Sequence, residues 1–217
     1  MDEHDAERCC FDDWVDNWAT RARKKRIVAK VTVPLFEALR QAGLRDRTVL
    51  DLGCGIGDLS IEAVRAGAAS ASGFDLSQKA IDAARGLAET RGVADRTTFR
   101  VGDGAKVELP GADVVVLNRV FCCYPDVENL LERSLGAAGS VYAFTIPRST
   151  GVAGRIARIQ TGFANWWYAL RSSKFGGFRV YVHDVRRIDA RVRAAGFEPI
   201  RRERRRIAWD LAVYARP

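Results

Sequence analysis

A chain of 217 residues that is 47% hydrophobic can bury a sizeable core, and its length suits one large α/β domain rather than two small ones. Lys and Arg outnumber Asp and Glu by 35 to 27, giving +8, and the excess is polarised: Asp2, Glu3, Asp5, Glu7, Asp12, Asp13 and Asp16 face only Arg8 near the start, while Arg201, Arg202, Arg204, Arg205 and Arg206 crowd the other end. Cysteines in two adjacent pairs plus one in a glycine loop exclude a secreted disulfide framework, and no apolar run approaches the roughly 18–20 residues of a membrane span, so a soluble, cytoplasmic protein is expected.

In chain order, Asp12 to about Gln41 carries Trp14, Trp18, Val28, Val31, Leu35 and Leu39 at helix-like spacing, and Pro34 is suited to the first turn of a second helix. Strands and helices then alternate. Thr48–Leu52, Ala69–Phe74, Thr97–Val101, Asp113–Leu117 and Ser140–Thr145 read as strands. Leu59–Ala66, Gln78–Arg91 and Val127–Leu135 read as the helices between them. Such alternation requires parallel strands joined by right-handed crossovers, which gives a Rossmann-like doubly wound sheet with ligands at the carboxyl ends of its strands. Arg155–Arg171 follows as a helix with one strongly apolar face, Asp184–Ala195 as another, and Glu198–Arg205 and Ile207–Tyr214 as an antiparallel hairpin. Residues 1–217 thus divide into a helical cap (1–46), a cofactor-binding core (47–147), a lid insert (148–183) and a closing helix and hairpin (184–217).

Asp51-Leu52-Gly53-Cys54-Gly55-Ile56-Gly57 joins the first strand to a helix, and its G-x-G-x-G spacing differs from the G-x-G-x-x-G of dinucleotide folds. Asp75 ends the second strand, where such folds grip a ribose diol, and Asp103 follows the third, within reach of an adenine amine. Tight turns and helix caps also favour glycine and aspartate, but three strand ends converging on one nucleoside is a stronger pattern than any one loop.

From Thr48 to Thr145 these residues resemble the class I S-adenosylmethionine-dependent methyltransferases. The resemblance implies that Gly53, Gly55 and Gly57 approach the methionine portion, Asp75 holds the ribose, Leu76 flanks the adenine, Asp103 meets its amine and Asp51 organises the loop. Cys54, Gly104 and Asn118, in the same strand-end loops, are assigned to the cofactor side. Spermidine synthases share this pocket architecture, so the fold does not by itself fix the reaction.

The acceptor side is less legible. Asn118-Arg119-Val120-Phe121-Cys122-Cys123-Tyr124-Pro125-Asp126 lacks the Asn-Pro-Pro-Tyr or Asp-Pro-Pro-Tyr motif of enzymes that methylate base amines, which lowers the nucleic-acid reading. From Phe11 through Pro147 the chain resembles the magnesium-protoporphyrin O-methyltransferases, whose Tyr-Phe and His-Tyr-Pro segments correspond to Cys10-Phe11 and Cys123-Tyr124-Pro125. That resemblance brings Cys10 and Cys123 to one acceptor cavity. Their sulfurs either pack as small hydrophobes or supply thiolate chemistry. His183 is a candidate base, and Tyr124 and Tyr168 are candidates for positioning an oxygen nucleophile. No metal site is assigned.

The aromatic lid, with Phe163, Trp166 and Trp167 and the cations Arg148, Arg155 and Arg158, suits a small aromatic or apolar acceptor bearing carboxylates, and Gly176-Gly177 would let it move. O-methylation is the favoured reaction. Two other classes stay open: an RNA-directed protein using Arg201–Arg206, and peripheral membrane contact through Arg155–Arg171. The oligomeric state is not encoded.

Overall fold

Successive residues of the inner strands belong to different cores. In β1 (Thr48–Leu52), Val49 joins one apolar cluster while Leu50 and Leu52 join another. In β4 (Ala112–Asn118), Val114 and Val116 face the first and Val115 and Leu117 the second. In β5 (Ala138–Pro147) the split is Val141 and Ala143 against Tyr142 and Phe144. A period of two with both faces apolar is what a sheet covered by helices on both sides demands.

The computed structural model describes residues 15, 19–20, 32–170, 179–205 and 209–217. Cys9, Cys10, Phe11, Trp14, Trp18, Val28, Val31, Arg171, Gly176, Gly177, Arg206 and Ile207 lie outside them. Across the described residues, β2 (Ser70–Asp75), β3 (Thr97–Val101), β6 (Glu198–Arg205) and β7 (Trp209–Ala215) complete a seven-stranded sheet of order β3-β2-β1-β4-β5-β7-β6. The first five strands pair in parallel, and β7 runs antiparallel to both β5 and β6. The expected Rossmann-like sheet and closing hairpin are therefore both present, with one refinement: the later strand of the hairpin, not the earlier, joins the parallel core.

One face is covered by α1 (Val33–Gly43), α2 (Asp58–Arg65) and α3 (Gln78–Thr90), which contribute Leu35, Leu39, Ile61, Val64, Ile81 and Leu87 to the first cluster. The other is covered by α4 (Val127–Ala137) and α6 (Val185–Ala194), through Leu130, Leu131, Leu135, Ile188 and Val192. Local chemistry sets the helix starts. Pro34 occupies the first turn of α1, and the side chains of Ser77, Asp126 and Asp184 accept from the amides of Ala80, Asn129 and Arg186. Alongside these lies α5 (Gly151–Leu170), which starts earlier than its apolar spacing predicts. Strand order reverses between β1 and β4, so a crevice opens at the carboxyl ends of these strands.

Candidate functional site

The turn after β1 carries three glycines in the left-handed region, each for a different reason. A Cβ on Gly53 (φ 67°) would stand 2.5 Å from Val120 Cγ2, and one on Gly57 (φ 72°) 2.7 Å from the Phe99 ring, whereas Gly55 (φ 54°) faces open space. Gly53 is thus a close approach to the loop after β4, and Gly57 a seat for β3 beneath the start of α2. The turn is tied to β2 by backbone bonds from the Gly53 and Cys54 amides to the Phe74 carbonyl, at 2.8 and 3.0 Å.

Asp75, at the end of β2, fastens the same loop from the other side. Its Oδ2 accepts from the Gly55 amide at 2.8 Å and its Oδ1 from the Ser77 amide at 3.0 Å. A carboxylate offers about four lone-pair sites, so it can hold the loop and accept from a ligand at once. Asp103, after β3, receives the Tyr124 hydroxyl at 2.8 and 2.9 Å and the Ala105 amide at 3.0 Å, with Lys106 Nζ 3.8 Å away.

One cavity gathers these strand ends. It is lined by Gly53, Asp75, Leu76, Asp103, Gly104, Cys123 and Tyr124 from the sequence-predicted set. Leu52, Phe74, Gly102, Arg119, Val120 and Leu130 line it as well and were missed. Arg119 and Val120 lay inside the segment read as substrate-facing. Leu52, Phe74 and Leu130 carried only a core-like signal, because the same side chains close the second apolar cluster. Arg119 is held in the left-handed region at φ 64°, unusual for a residue with a side chain, and its guanidinium stands 5.0 Å from the centre of the Trp209 ring.

Asp51, Cys54, Gly55, Gly57, Asn118 and His183 are not among the lining residues. Asp51 is buried beneath the loop, where its Oδ2 accepts from Ser60 Oγ at 2.8 Å. Burial lifts its carboxyl to about 7, against the lowering effect of the Ser60 bond, and the charges of Asp58 and Asp75 add to the rise. Cys54 fills the notch left by Gly73, whose Cβ would come within 2.8 Å of its sulfur; burial pushes its thiol well above the ordinary range. The Cys54 side chain thus packs against β2. Asn118 braces the end of β4 instead, donating to Thr32 Oγ1 at 3.1 Å and accepting from Thr145 Oγ1 at 2.8 Å.

His183 stands behind the cavity wall, its Nε2 donating to the Tyr124 carbonyl at 2.9 Å, and burial lowers its pKa below the usual histidine value. The ring thus holds the turn that carries Cys123 and Tyr124. Beside it the Tyr181 amide donates to the Cys122 carbonyl at 2.7 Å. The Cys122 and Cys123 sulfurs lie 3.3 Å apart; the bond from Cys123 lowers the Cys122 thiol, opposed by burial. Cys54, Cys122 and Cys123 are not joined in disulfides, and Cys10 lies outside the described residues. Among the described residues no three or more His, Cys, Asp or Glu side chains gather as a metal cluster, and no helix is long and apolar enough to cross a membrane. Tyr168 and the rest of α5 do not line the cavity, and Arg148 pairs with Asp210 at 3.3 Å.

A seven-stranded sheet in this order, with a triple-glycine turn after β1 and carboxylates ending β2 and following β3, is the arrangement that the resemblance to the class I S-adenosylmethionine-dependent methyltransferases implies. Residues 49–136 match the family model described as a methyltransferase domain. The chain is similar to magnesium protoporphyrin IX methyltransferase from Synechocystis PCC 6803 solved with bound SAH, at 21% identity and TM-score 0.71, covering 97% of this chain and 98% of that one. It is 45% identical over 87 residues to ribosomal protein L11 methyltransferase of Pasteurella multocida, which covers 40% of this chain and 29% of that protein. The chain spans under two fifths of the length of the ribosomal protein L11 methyltransferases it matches. The [4+2]-cyclase SpnF has a similar fold, at TM-score 0.64 and 16% identity over 85% of this chain and 80% of that one, so the fold accommodates more than one reaction.

Proposed function

We propose that the chain transfers the methyl group of S-adenosylmethionine to a small aromatic or apolar acceptor in the cytoplasm, an oxygen being the favoured atom. The observation that carries this reading is the single cavity shared by Gly53, Asp75, Leu76, Asp103 and Tyr124. In it Asp75 accepts from the ribose hydroxyls, Asp103 from the adenine amine, and Leu76 flanks the base, while the backbone of Gly53, Gly55 and Gly57 gives room to the methionine portion. Asp51 supports the loop from below. Methyl transfer requires the nucleophile in line with the carbon–sulfur bond, so the protein's contribution is alignment and exclusion of water. Cys123, Tyr124 and Arg119 form the wall toward the acceptor, with His183 bracing that wall from behind. Tyr181 and His183 border it through the Tyr181–Cys122 and His183–Tyr124 bonds.

A protein acceptor is the second reading, favoured by the ribosomal protein L11 methyltransferases among the relatives. Their similarity covers 40% of this chain, whereas the likeness in fold to the porphyrin enzyme runs through 97% of it. An RNA acceptor is disfavoured, because Arg201 is engaged by Glu203 and Gln41, and Arg202 by Asp189. Calorimetric titration with S-adenosylmethionine, its demethylated product and NAD tests the donor; tight NAD binding without nucleoside binding sinks the reading. Labelled methyl donor offered with porphyrins, phenols, thiols, metalloid oxyanions and L11 protein tests the acceptor.

A further inference from the structure

Helix α5 is oriented with its apolar face outward. Val152, Ile156, Ile159, Phe163, Trp166, Trp167 and Leu170 fall within an arc of about 100° at 100° per residue, and all are exposed, Ile159 by 74% and Phe163 by 65%. The face toward the body holds the small and polar residues. Gly154 is the helix's buried position, where a Cβ would meet the Ser149 carbonyl carbon at 2.3 Å, and Asn165 exchanges two bonds with the Val180 backbone at 2.8 and 2.9 Å. An ordinary surface helix is arranged the other way, with its apolar stripe on the core.

We propose that this stripe docks on an anionic lipid surface, with α5 lying in the plane of the interface. The row spans about 27 Å at 1.5 Å per residue, and aromatic and branched aliphatic side chains beside cations are the composition of interfacial helices. Charge selects the occupant. The helix carries Arg155 and Arg158, both exposed, and no acidic residue, while Arg179 is exposed next to the Val180 that Asn165 holds. A second copy would set arginines against arginines with no carboxylate on the helix to pair them, whereas lipid phosphates answer both cations. Depth is limited to the headgroup boundary, since no described helix is apolar enough to span. The proposal rests on the placement of α5 and is independent of the reaction.

The test is co-sedimentation of the full chain with vesicles of phosphatidylcholine alone and of phosphatidylcholine mixed with phosphatidylglycerol. Binding is expected to the anionic vesicles, to weaken with added salt, and to fall about tenfold or more in Ile159→Ser/Phe163→Ser and in Arg155→Glu/Arg158→Glu. These side chains are solvent-exposed, so the variants should keep the parent's thermal midpoint, which is measured in parallel. Absence of binding to anionic vesicles, or equal binding by the variants, overturns the proposal. A parent dimer in sedimentation velocity that Ile159→Ser/Phe163→Ser dissociates also overturns it, in favour of a second copy.

Discussion

The Tyr124 hydroxyl stands 2.8 and 2.9 Å from the two carboxylate oxygens of Asp103, so a residue expected on the acceptor side is bound to one expected on the donor side. One phenolic proton is shared between the oxygens and fixes how Asp103 faces the cavity. Asp103→Ala should weaken binding of the demethylated nucleoside by about 10–100-fold, as loss of a hydrogen bond to a charged group does. Tyr124→Phe should weaken it by less, about 3–10-fold, and have no further effect once Asp103 is Ala. Isothermal titration of the four proteins checks this; additive losses would show that Tyr124 acts separately from Asp103.

Asp75 has two duties, because its oxygens already fasten Gly55 and Ser77. Asp75→Ala should lower the thermal midpoint without any ligand, by about 2–4 °C for each kcal/mol lost in a chain of this size, as well as abolishing nucleoside binding. A variant that loses affinity with its ligand-free midpoint unchanged would mean that the loop holds without the carboxylate.

Buried Asp51 and half-buried His183 pull stability in opposite directions with pH. Asp51, raised to about 7, keeps its proton in the fold while the unfolded chain releases its own near pH 4, so stability falls as pH rises between about 4 and 7 and levels off above. His183, lowered by burial, stays neutral in the fold while the unfolded ring takes up a proton below about 6.5, so stability falls on acidification from there. Urea midpoints across this range should lose the first slope in Asp51→Asn and the second in His183→Gln.

Cys54 and Gly73 share one space, and Phe99 closes it from the third side, 2.7 Å from where a Gly73 Cβ would lie. Gly73→Ala should cost about 1–3 kcal/mol by overpacking. Cys54→Ala should recover part of that loss and, in the parent, leave nucleoside affinity within about twofold. A larger drop in affinity would place Cys54 on the cofactor side.

The fold was readable because its signals are local and repeated. Strands β1 and β3 begin and end where the apolar runs predict, and Ser77, Asp126 and Asp184 cap helices where the pattern starts them. Gly53, Asp75 and Asp103 were picked out because they stand at strand ends in a recognisable order, and one cavity gathers them. Other parts depend on what the chain meets after folding. Asp51 and Cys54 sit in the same motif as Gly53, yet strand parity and the Gly73 notch turn them inward. Lining by Leu52, Phe74 and Leu130 is indistinguishable from core in a linear reading. The apolar stripe of α5 was visible as periodicity, but periodicity carries no information on whether a face turns in or out.

The insertion of β7 between β5 and β6 bears on how the sheet is assembled. Among the described residues, β5 finds its second neighbour only in a strand that follows α5, α6 and β6, and β6 joins the sheet solely through β7. Until β7 docks, one flank of β5 presents unpaired amides and carbonyls beside Tyr142 and Phe144, a template for pairing with another molecule. A chain interrupted before Trp209 would expose that open flank and leave β6 unattached, so aggregation during synthesis and chaperone dependence should concentrate at this step.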